Sequence, residues 1–305
     1  MRTPSSFRPN LSPHLLPYTS KPAYHIPPIL SVAYHTPGLL FMTRTLLIVT
    51  GASRGFGRAI CRAFFKDEQE GKKLIRACLV ARSLEGLQAT KASLLSMRES
   101  TNVSIHAIDL GDLATLETQL QTMLDTLTPT EFDRLILVNN AGSLGEIGPL
   151  ATFSASLQDW QRTFDLNITS PLWTTRVFGQ WALQHNIPSA VMVNVSSLLA
   201  VQPFPTMALY AAGKAARDMY YQCVAKEFGD DKRVRLLNYA PGPLETAMVE
   251  EIRAAPALHE SLQPNFAKKA LDPMESAVKL VALLKRDDFE SGAHVDFYDL
   301  PASEI

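Results

Sequence analysis

Cysteine is scarce in this chain, and so is net charge. Cys61, Cys78 and Cys223 lie far apart among 305 residues, which excludes a disulfide framework and offers no metal-ligand spacing. They read as buried free thiols in a reducing, cytoplasmic setting. A formal net charge of −1 without a basic stripe argues against nucleic acid as a partner. No apolar run reaches the roughly 18 to 20 residues of a membrane span, so no membrane partner is expected. His106, His185, His259 and His294 have no metal spacing and no triad partner, and H-E-x-x-H and G-K-[ST] are missing. The histidines therefore read as structural, and no metal is expected.

Acidic residues are absent from the first 42 positions, which carry eight prolines and three histidines. Proline at this density prevents regular helix or strand, so residues 1–42 read as a disordered extension. Arg2, Arg8 and Lys21 hint at an organelle transit signal, but the prolines spoil the amphipathic helix such a signal needs. Met42, directly before the first strand, is an alternative start.

Residues 43–305 read as one domain, and the 46% hydrophobic content of the chain suffices for one large core. Strands are expected at 45–50, 74–81, 102–108, 134–139, 189–196, 233–239 and 293–298. Helices are expected at 55–67, 83–98, 112–127, 156–184 with a break near 164–168, 207–229, 244–260 and 273–285. The alternation implies right-handed βαβ units. The fold class is therefore α/β: a Rossmann-like, doubly wound parallel sheet of seven strands, order 3-2-1-4-5-6-7, with helices on both faces. Ligands belong at the carboxyl ends of such strands.

Chemistry-bearing residues fall at those ends. Thr50-Gly51-Ala52-Ser53-Arg54-Gly55-Phe56-Gly57 joins the first strand to a helix, and its glycines let a pyrophosphate approach backbone N–H groups. Arg82 and Ser83 end the second strand where NAD would need a carboxylate; with Arg54 they favour NADP(H), the alternative being a solvated strand end. Asp109 and Leu110 can meet the adenine, or Asp109 can serve the turn. Asn139-Asn140-Ala141-Gly142 lets the backbone pass under a cofactor, while Asn139 can lock neighbouring strands. Asn167 disfavours a helix interior. A break there exposes a carbonyl to a water that reaches Lys214.

Tyr210 and Lys214 stand four apart on one helix face, thirteen residues after Ser197. At roughly 5 Å and an effective dielectric of about 20, the ammonium lowers the phenol by on the order of two pKa units, towards proton donation at neutral pH. Alternation sends Ser196 and Ser197 to opposite faces, and the spacing selects Ser197 to hold the same oxygen. Pro241 and Gly242 make a rigid turn beside the nicotinamide. The stretch Leu244, Glu245, Thr246 and Met248 then opens a helix that covers it.

Together these strings resemble the short-chain dehydrogenase/reductase family over about residues 43 to 299. Ser196–Phe204, Tyr210–Met219, Asn238–Leu244 and Ser291–Asp299 resemble its sepiapterin reductases. The resemblance implies NADPH-dependent reduction of a pterin side-chain ketone in tetrahydrobiopterin synthesis, by a homodimer. It assigns Ser197, Tyr210, Lys214 and Asn167 to catalysis. Leu198 and Gly242 line the pocket, and Asp296 anchors the pterin, unless Asp296 is an exposed strand-end charge. Met207 stands where an aromatic is expected and Ala247 where an acid is usual. Two alternatives stay open: a ketone or diketone reductase without pterin preference, and a binding protein that senses NADPH without turnover.

Overall fold

In β1 (Arg44–Thr50) the even residues Leu46 and Ile48 join one apolar cluster and the odd residues Leu47 and Val49 another. This period of two, apolar on both sides, belongs to a strand covered on both faces. A computed structural model describes residues 44–71, 74–97 and 102–301; the expected extension 1–42 lies outside them. Among the described residues, β1 is joined by β2 (Leu74–Ala81), β3 (Asn102–Ala107), β4 (Arg134–Asn139), β5 (Ser189–Val195), β6 (Val234–Ala240) and β7 (His294–Asp296). They form one parallel sheet of order β3-β2-β1-β4-β5-β6-β7, as expected.

The helices are α1 (Gly55–Gly71), α2 (Leu84–Met97), α3 (Leu113–Leu124), α4 (Leu157–Phe164), α5 (Ser170–Gln184), α6 (Ala208–Phe228), α7 (Ala247–Ala254), α8 (Gln263–Ala267) and α9 (Pro273–Arg286). One cluster packs α1, α2 and α9 on the first face. The other packs α3, α5 and α6 on the second. Parallel pairing aligns Thr50, Ala81, Asn139, Val195 and Ala240 near one edge of the sheet, so every loop after them opens on the same side.

Three expectations need correction, and a fourth, the helix break, is met. The helix placed at 244–260 spans only Ala247–Ala254; Pro256 follows, and α8 forms separately. The last strand is three residues long, because Asp296 caps a 3₁₀ turn over Phe297–Asp299 instead of continuing the ladder. Cys223 is exposed, whereas Cys61 and Cys78 are buried. The break expected within 156–184 is a π-helical turn, Asp165–Thr169, between α4 and α5. None of the described helices is long and apolar enough to cross a membrane.

Candidate active site

The glycine turn is stitched to the end of β4. Thr50 Oγ1 accepts from the backbone N–H groups of Asn140 (3.0 Å) and Ala141 (3.1 Å), and Asn140 Nδ2 donates to Thr50 O (3.0 Å). Gly51 and Gly55 have φ of 67° and 54°, where a side chain is strained. A Cβ on Gly57 would fall on the carbonyl oxygen of Gly51 and 2.7 Å from Asn140 Nδ2. The turn thus leaves bare backbone before α1, whose first N–H groups lack helical partners. Arg58, which the sequence did not single out, braces the turn: Nε donates to Thr90 Oγ1 (2.9 Å), which donates to Ala52 O (2.9 Å). Ala52 and Phe56 are buried, while Ser53 is half-buried.

At the neighbouring strand ends the expected cofactor residues divide. Arg54 and Arg82 are exposed, and Arg82 stands 4.0 Å from Asp109. Ser83 Oγ accepts from Gly86 N (3.0 Å), so its hydroxyl caps α2. Asp109 takes its turn role, accepting from Gly111 N (3.0 Å), and Leu110 is buried. Asn139 is a core lock: its amide donates to Pro171 O (3.1 Å), Thr175 Oγ1 (2.8 Å) and Tyr221 OH (3.1 Å). The side-chain nitrogen is thereby engaged inside the core, while Oδ1 has no hydrogen-bond partner.

Ser197 follows β5 and Tyr210 lies in the first turn of α6, with the Ser197 side chain close enough to act on the Tyr210 phenol. Ser196 is buried, its Oγ 2.5 Å from Asp218, also of α6. The expected acidity of Tyr210 is not what the site produces. Burial pushes the phenol up to about 12, against the opposing pull of Arg217 and of the Ser197 hydrogen bond. Lys214 is buried beside it. Its Nζ donates to Val195 O (2.5 Å) and sits 5.4 Å from the Tyr210 ring centre. Burial, aided by the Arg217 charge, holds its pKa well below the ordinary lysine value.

Asn167 is buried in the π turn and clamps the loop after β4: Oδ1 accepts from Ser143 N and Nδ2 donates to Ser143 O, both at 2.9 Å. Such turns recur at functional sites. Gly213 keeps α6 close, since a Cβ there would lie 3.3 Å from Asn167 Cβ.

Residues after β6 close the opposite side. Gly242 has φ of 76°, and a Cβ on it would meet Leu271 (2.9 Å) and the exposed Tyr298 ring (3.5 Å). Leu244 bridges to Leu271, and Glu245 is tied up by Arg253 (2.5 Å) and Ala270 N (3.2 Å), so its carboxylate serves the loop. Thr246 approaches the glycine turn, its Cγ2 lying 3.4 Å from a Cβ built on Gly55. Met248 Sδ is 4.0 Å from the Tyr210 hydroxyl. Met207 is buried with Leu144, Ile252, Leu258 and Leu262, and Tyr210, Leu199 and Phe204 pack against them. Leu198 is 38% exposed, which leaves it at the surface of this wall. Asp296 is half-buried, and its Oδ1 accepts from Tyr298 N (2.9 Å).

Sequence reasoning also missed the charged group behind the site. Arg217, at i+7 from Tyr210, is fully buried, and Asp218 pairs with His294 at 2.6 Å. The signal was present: an arginine on the helix face that already carried Tyr210 and Lys214.

Comparison with known proteins agrees with this geometry. The family model for short chain dehydrogenases matches residues 45–257. Sepiapterin reductase of Rattus norvegicus is 40% identical over 83% of this chain and 96% of its own length. Benzil reductase ((S)-benzoin forming) of Bacillus subtilis is 29% identical over 69% of this chain and 79% of its own. The crystal structure of levodione reductase superposes with a TM-score of 0.67 at 26% identity, over 83% of this chain and 95% of that one. The chain belongs to the short-chain dehydrogenase family and, within it, groups with the sepiapterin reductases.

Proposed function

We propose that this protein is an NADPH-dependent carbonyl reductase that reduces pterin side-chain ketones, as tetrahydrobiopterin synthesis requires. The observation that carries the reading is the Ser197–Tyr210 hydroxyl pair, set at the same sheet edge as the bare glycine turn. The residues fit a dinucleotide. Backbone alone lines the turn, and Arg54 and Arg82 offer exposed guanidinium groups to a 2′-phosphate. Asp109, the nearby carboxylate, already faces Arg82, which removes the feature that favours NAD. The hydride is the chemistry NADPH supplies when bound.

The chain's own groups supply the rest. Tyr210 stays protonated at neutral pH, so it holds the proton that the ketone oxygen needs. An alkoxide is more basic than a phenolate, so the transfer runs downhill even from a weakened acid. Ser197 orients that oxygen. Lys214 is assigned to the ribose, and Asn167 to the water route that refills Tyr210. Asp296 retains an oxygen for the adjacent N–H donors of a pterin. The enzyme is assigned to the cytoplasm on its free cysteines, and to a homodimer through α5 and α6, where Met219 is 59% exposed.

The apolar wall of Met207, Leu144 and Ile252 favours a second reading, a diketone reductase indifferent to pterins. A panel of sepiapterin and a simple diketone, each with NADPH and NADH, decides between them. Tyr210→Phe is expected to abolish turnover and keep NADPH binding; turnover near the wild-type rate overturns the assignment. Asp296→Ala is expected to lose the pterin substrate alone. Equal loss on both substrates removes the pterin reading.

A further inference from the structure

We propose that Lys279 is a positioning residue for substrate selection. From α9 it pins the turn after β7, and that turn presents Asp296 and the ring of Tyr298 beside Gly242 to a planar heterocycle with N–H donors on one edge. The proposal rests on the pterin-ketone reading given above. Lys279 is 4% exposed, and an ammonium buried so deeply is costly unless its donors are used. Its Nζ donates to Leu300 O (2.9 Å) and Phe297 O (3.3 Å). Both carbonyls belong to the 3₁₀ turn Phe297–Asp299 and its C-cap, Leu300. The same Nζ stands 4.1 Å from the centre of the Phe297 ring, so a cation–π contact adds to the hold.

The turn is also closed on itself. Asp296 Oδ1 accepts from Tyr298 N (2.9 Å), and Asp299 Oδ2 accepts from Asp296 N (3.1 Å). The Asp296 carboxylate therefore follows wherever the turn is held. Phe297 is buried, whereas Tyr298 is 65% exposed, with its ring 3.5 Å from a Cβ built on Gly242. An aromatic face fixed at that place suits a flat ring system. The helix holds the facing turn as well. Ser276, three residues before Lys279 and on the same buried side of α9, donates from Oγ to Pro241 O (3.0 Å). One helix thus brackets the turns after β6 and β7. Register sets Val195, Tyr239 and Val295 in one row across β5, β6 and β7. The β7 turn accordingly stands two strands, roughly 10 Å, from the Ser197 end. A rigid bicyclic ketone spans that distance, and a small aliphatic diketone does not.

The experiment measures kcat and KM for sepiapterin and for a small aliphatic diketone, with NADPH. The proteins are the wild type, Lys279→Met, Lys279→Arg, Tyr298→Ala and Asp296→Ala. Methionine keeps the length of the side chain and removes its donors; arginine keeps charged donors for the two carbonyls. The readout is the ratio of kcat/KM for sepiapterin to that for the diketone. In Lys279→Met it is expected to fall about tenfold, the weight of one charge-assisted contact, through a raised KM for sepiapterin. Lys279→Arg is expected to stay within about threefold of the wild type. Tyr298→Ala, a change at the surface, is expected to lower the ratio about fivefold. Melting curves show which variants are folded at the assay temperature. Equal loss on both substrates in Lys279→Met marks a lysine that serves the fold alone and overturns the proposal. A Lys279→Arg ratio as low as that of Lys279→Met overturns it too. Where Lys279→Met melts below the assay temperature, Tyr298→Ala keeps the test open: a ratio within about twofold of the wild type overturns the proposal. A ratio that moves in Asp296→Ala but not in Lys279→Met sinks only the role of Lys279. A ratio unmoved in Asp296→Ala sinks the pterin reading with it.

Discussion

Replacing Asn167 by alanine removes the clamp that joins the π turn to the loop after β4. Two hydrogen bonds of 2.9 Å are lost, one to each backbone group of Ser143, at a residue only 5% exposed. Each bond is worth about 1 kcal/mol, and a dry orphaned N–H or C=O costs up to about 2 kcal/mol more. Ser143 is half-buried, so water recovers part of the loss, and a net cost of about 3 kcal/mol follows. For a domain of this size that lowers the melting temperature by roughly 6 to 12 °C. Asn167→Asp sharpens the test. It keeps the acceptor for Ser143 N–H but sets a carboxylate against Ser143 O. The folded-state pKa of that carboxyl is then raised, so its penalty is greatest at neutral pH and is relieved as pH falls through that pKa and the carboxyl regains a proton to donate. Thermal melting at several pH values, with turnover measured alongside, is the assay. If Asn167→Ala melts within about 2 °C of the wild type, the clamp is energetically idle and the reasoning fails.

Gly57→Ala sets a Cβ on the Gly51 carbonyl, where only backbone can yield, and is expected to weaken NADPH binding at least tenfold; unchanged binding in a fluorescence titration counts against the cradle. Arg82→Ala is expected to raise KM for NADPH about tenfold and leave NADH within about twofold, since one charge-assisted contact is lost. Equal effects on both cofactors contradict the NADPH preference. Asp218 raises the pKa of His294 above its ordinary 6.5, chiefly through the hydrogen bond between them. A raised folded-state value means the pair's stabilisation is complete below about pH 6.5 and fades as pH rises through the folded-state pKa. The melting gap between wild type and His294→Asn should therefore shrink with rising pH, and a gap that widens instead refutes the pairing.

The sheet order, the glycine turn and the π break were legible because each rests on local pattern. Apolar runs, glycine spacing, a misplaced asparagine and strand alternation are properties of a few adjacent residues. The lapses were of another kind. The 244–260 helix looked continuous in sequence, yet Pro256 and the Leu244–Leu271 bridge divide that region. The partners of Asn139, Ser83 and Glu245, namely Tyr221, Gly86 and Arg253, are likewise set by packing and turn geometry.

Sequence alone determined which chemistry was available: a serine, a tyrosine and a lysine at fixed spacing after a parallel strand, and bare glycine backbone at the sheet's edge. Only the tertiary structure decided how acidic that tyrosine is. Spacing places Lys214 beside it, but packing buries the ammonium against Val195 and sets the fully enclosed Arg217 behind both. The strength of a charge depends on how much water surrounds it and which partners have already claimed it, and neither is written in the order of residues.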